Sequence, residues 1–86
     1  MNTHFDFDFL GQNFECSLKF EKVDRHQTKI YKLRIITHPI SIAAFGRVHQ
    51  LKNNLFEIAF DSPYYFGMFG GSIAEKISEE LQKLEL

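Results

Sequence analysis

Strict alternation is the feature that most limits what this chain can become. From His4 to Phe9 polar and aromatic residues take turns, so Phe5, Phe7 and Phe9 share one side while His4, Asp6 and Asp8 share the other. A period of two is that of a half-buried strand. Gly11-Gln12 then fits a two-residue turn of type II′, with glycine taking the positive φ. That turn predicts Phe9 opposite Phe14, Phe7 opposite Cys16 and Phe5 opposite Leu18, all on one face.

The same period continues. Phe14, Cys16, Leu18 and Phe20 point inward along a second strand, and a polar turn over 24–27 leads to a third in which Tyr31, Leu33 and Ile35 point inward. Ile30 and Ile36 break the alternation near its ends. His38-Pro39 stops it, because proline lacks the ladder donor. Ile40, Ile42, Ala44, Gly46 and Val48 line a fourth strand, with Gly46 marking a bend or bulge. Phe56, Ile58 and Phe60 line a fifth. A three-residue loop, Lys52-Asn53-Asn54 with Asn54 left-handed, pairs Val48 with Ile58 and His49 with Glu57.

The period then changes. Ile73, Ile77, Leu81 and Leu84 recur at steps of four, four and three, a helical stripe narrow enough to lie on a sheet. Ser72 to Glu75 has the capping-box spacing. Glycines at 67, 70 and 71 leave 64–71 as loop or irregular helix. The expected fold is α+β, one domain over 1–86. It is a five-stranded antiparallel meander (about 3–10, 14–23, 28–37, 40–51 and 55–61) with a C-terminal helix (about 72–84) on its inner face.

Composition narrows the function classes. A net charge of −1 gives no whole-molecule field that would recruit nucleic acid or an anionic membrane. Charge is nonetheless segregated: between Glu15 and Lys52 stand eight basic residues against three acidic ones. The lone Cys16 points inward and makes no internal disulfide. No apolar run reaches the roughly 20 residues of a membrane helix, and the N-terminal residues lack the pattern of a secretion signal, so a cytoplasmic protein is expected.

No catalytic, cofactor-binding or metal-ligating set emerges. His4, Asp6 and Asp8 share a strand face, but a spacing of two is too extended for one compact metal site, and a solvated acidic strand that discourages aggregation explains them. The glycines before Ser72 lack the lysine and spacing of phosphate-binding loops. Ser17 and Ser41 have no neighbouring base, and no nucleophile elbow occurs.

Two features point to interaction. The segment from Pro63 to Gly71 is crowded with rings, and Tyr64, Tyr65, Phe66, Met68 and Phe69 could anchor a partner or plug the end of the core. The outward registers of Phe45, Leu51 and Leu55, with Ala43 and Ala59, also place apolar surface on the outer face. The reading is a protein-interaction module, binding a protein partner or a second copy of itself. The alternative is a small-ligand or single-stranded nucleic-acid binder using the basic outer face of Lys19, Lys32, Arg34 and Arg47.

Overall fold

A computed structural model describes residues 2–38, 42–61 and 70–84. Five strands, β1 (Asn2–Phe9), β2 (Gln12–Val23), β3 (Lys29–His38), β4 (Ile42–Gln50) and β5 (Phe56–Phe60), form one open antiparallel sheet in chain order. The helix α1 (Gly70–Lys83) follows. This is the α+β meander that alternation followed by a helical stripe requires.

The inner face is built as the pattern dictates. Phe14, Cys16, Leu18, Leu33, Ile35 and Val48 are all but fully buried, and Ile73, Ile77 and Leu81 of α1 complete the same core. Phe7 stacks on Phe14 with ring centroids 5.5 Å apart and planes 16° from parallel, an offset arrangement that aromatic quadrupoles favour. Glu80, at the border of the helix's apolar stripe, is pushed up by desolvation. Hydrogen bonds from Lys76 and Lys83 more than reverse this and hold the carboxyl below its ordinary 4.5.

The first hairpin corrects the expected register. Phe7 stands opposite Phe14, Phe5 opposite Cys16 and Phe9 opposite Gln12, so the two-residue loop is Leu10-Gly11. Both loop residues have positive φ, 52° and 76°, the signature of a type I′ turn, whose twist matches that of the strands. The shift is two residues, so every ring keeps its face. It also sets Asn13 opposite Asp8, where its amide donates to Asp8 Oδ1 at 3.0 Å and to Asp6 Oδ2 at 3.3 Å.

Three further expectations are corrected. Gly46 is no bulge, since β4 pairs with β3 without a shift through it and the β5 ladder ends on it in register, and the ladder irregularity lies instead between Phe20 and Lys22. The helix starts at Gly70, so the two glycines at 70 and 71 are helical and Ser72 stands inside the first turn rather than at its boundary. Phe20 faces inward, edge-on to Tyr31 at 5.7 Å, yet is 47% exposed. Length explains this. The 12 residues of β2 span about 36 Å, whereas the 14 of α1 span about 20 Å. The helix therefore leaves part of the inner face uncovered.

The β4–β5 connection forms as expected in register, with Val48 opposite Ile58 and His49 opposite Glu57. A 3-10 turn (Lys52–Asn54) makes the reversal, and Asn53 joins Asn54 in the left-handed region.

Candidate interaction surfaces

Opposite the helix, the sheet presents a face of distinct zones. The register lines up Ser17, Arg34 and Phe45 across β2, β3 and β4, and next to that row Lys19, Lys32 and Arg47. Phe45 is 53% exposed, a large ring held in water by its place in the ladder. Ala43 and Ala59 are exposed and Ile36 half-buried on the same face, placing apolar residues along the strand and diagonal to it.

Three cations in one lateral row repel one another. Arg47 is compensated, with its Nε 3.2 Å from Glu21 Oε2 and its Nη1 4.0 Å from Asp61 Oδ1. Lys19, Lys32 and Arg34 have no carboxylate partner among the described residues.

Toward the β1–β2 turn the same face becomes acidic. Asp6, Asp8 and Glu15 gather there, the first two bridged by the Asn13 amide and the third 3.0 Å from His38 Nε2. Among the described residues no group of His, Cys, Asp and Glu could hold a metal ion. Cys16 lies beneath, its thiol pushed up to about 12 by burial and then by the charges of Asp6, Glu15 and Glu80, so it is a packing residue and not a nucleophile.

Leu51 and Leu55 do not belong to this patch. Each lies just outside a strand, flanking the Lys52–Asn54 turn, and the Leu51 amide donates to the Leu55 carbonyl at 2.7 Å. Both are exposed, but Leu51 lies six positions beyond Phe45, about 20 Å along the strand. The expected single apolar surface is thus two surfaces, because β4 ends at Gln50. The aromatic anchors Tyr64, Tyr65, Phe66, Met68 and Phe69 lie outside the described residues.

A third surface escaped the sequence reading. Between the β2–β3 and β4–β5 turns opens a groove of about 990 Å³, lined by Arg25, His26, Thr28 and Lys29 from one side and Gln50, Leu51 and Lys52 from the other. The signal was the basic run itself, but its convergence depends on two turns lying at the same end of the sheet.

No helix among the described residues is long and apolar enough to cross a membrane. Compared with known protein families, curated proteins and solved structures, the chain matches none.

Proposed function

We propose that this chain is a binding module whose working surface is the open face of the sheet, and that the surface it fits is a second copy of itself. The exposure of Phe45, amid Ile36, Ala43 and Ala59, carries the reading: a clustered apolar patch on a sheet face is the usual mark of an interface. Charge supplies the choice of partner. One end of the face carries Asp6, Asp8 and Glu15 and the other Lys19 and Lys32, with Arg34 between them in the row of Phe45. A two-fold axis lying in the plane of contact, across the strands, sets the acidic end of each copy over the basic end of the other and brings the Phe45 region to the middle.

Size is compatible. The molecule measures 37 × 24 × 21 Å, so a broad face offers on the order of 800 Å² per copy, the area of a standard interface. Sedimentation equilibrium tests the reading. The wild type should populate a dimer at high micromolar concentration that weakens with added salt, and Phe45→Asp should be monomeric with an unchanged circular dichroism spectrum. A wild type that stays monomeric, or a Phe45→Asp dimer as tight as the wild type, refutes it.

A further inference from the structure

We propose that the groove between the β2–β3 and β4–β5 turns is a binding site for a small organic anion carrying several phosphate groups. It lies apart from the open face, at the end of the sheet, and is independent of self-association.

The lining decides the class of ligand. Arg25, Lys29 and Lys52 converge on one concave space with His26 beside them, and no carboxylate lines it. None of the three permanent cations has an ion-pair partner among the described residues. The nearby acid is otherwise engaged: Asp24 Oδ1 accepts from the His26 amide at 2.8 Å and the Thr28 amide at 2.9 Å, which directs it into its own turn. Gathering three cations around one space costs repulsion, and no contact within the described structure offsets it.

Geometry favours phosphate over a simple carboxylate. Arg25 offers a planar fork that can grip two phosphate oxygens, the lysines act as point charges, and Thr28 and Gln50 add neutral donors. About 990 Å³ is at the upper end of small-ligand sites, too large for one phosphate and suited to a scaffold bearing several. Most of the lining residues are exposed, so affinity should depend on charge count and fall with salt.

Sodium tripolyphosphate is the probe. Titrated at low salt into the ¹⁵N-labelled full chain, it should produce saturable shifts at the amides of Arg25, His26, Lys29 and Lys52. The double variant Lys29→Ala/Lys52→Ala should bind at least about tenfold more weakly, since each substitution removes a charge-assisted contact to the anion. Lys32→Ala, on the open face, should bind within about twofold of the wild type. These lysines are exposed, so the variants keep the fold, and an unchanged spectrum away from the groove verifies it. Absence of saturable shifts, shifts centred on Lys19, Lys32 and Arg34, or unchanged affinity in the double variant each overturns the proposal. Repeating the titration on Phe45→Asp separates this site from self-association, because groove binding should survive there.

Discussion

Gly46 lies so close to Ala59 that a Cβ at position 46 would stand 2.5 Å from the Ala59 carbonyl oxygen and 3.2 Å from the Phe60 Cα. The obstacle is backbone, which cannot swing aside as a side chain would. Glycine at 46 is what lets β5 close on β4. Gly46→Ala should therefore destabilise the fold by about 2 kcal/mol or more, as overpacking does, read as a lower urea midpoint. Stability equal to the wild type would mean that β5 sits farther away.

Leu10 offers the opposite opportunity. It holds φ at 52° in the first turn while 71% exposed, so it bears the cost of a left-handed conformation with little burial in return. Leu10→Asn creates the Asn-Gly pair that type I′ turns prefer and should stabilise the protein by about 1 kcal/mol. A loss of stability in thermal unfolding would argue against the Leu10-Gly11 turn and for the register that places Gly11-Gln12 in the loop.

Asp24 ties stability to pH. Its carboxyl is held below its ordinary 3.8, first by the hydrogen bond from the Thr28 amide, which desolvation opposes, and then by the smaller contribution of the hydrogen bond from the His26 amide. A group whose folded value is depressed adds stability above its unfolded value and loses it as pH falls through the folded one. Asp24→Ala should thus be less stable than the wild type at neutral pH, and the gap should close as pH drops below about 3.8. A gap that persists at pH 2 would show that the carboxylate's charge is not what holds the turn.

Lys32 stands between Lys19 and Arg47 in the cationic row. Lys32→Glu turns two repulsive cross-strand pairs into attractive ones and should stabilise the monomer by about 0.5 kcal/mol. The same change should weaken self-association, because it removes charge from the basic end of the open face. Denaturation and sedimentation moving in opposite directions would identify the row as a surface shaped by binding. A tighter dimer would count against the proposed arrangement.

How far the chain could be read depended on whether a feature is periodic. Inward positions such as Phe14, Leu33, Val48, Ile73, Ile77 and Leu81 follow from spacing alone, because strand and helix periods are set by backbone geometry before any packing occurs. The β4–β5 register was equally legible, since only a three-residue loop kept Val48 and Ile58 on one face. The β1–β2 register was not. Pairings two residues apart bury the same rings, and the choice between them rests on the twist of the turn and the reach of the Asn13 amide to Asp6 and Asp8.

What spacing alone determined, then, is the meander, its two faces and the helical stripe that covers one of them. Only the tertiary structure decided how much of that face the helix covers, why position 46 admits no side chain, and which charges meet. Arg25 and Lys52 are 27 positions apart and come to line one groove because two turns lie at the same end of the sheet. Such convergence depends on where strands stop and how they stack, and no local pattern in the chain records it.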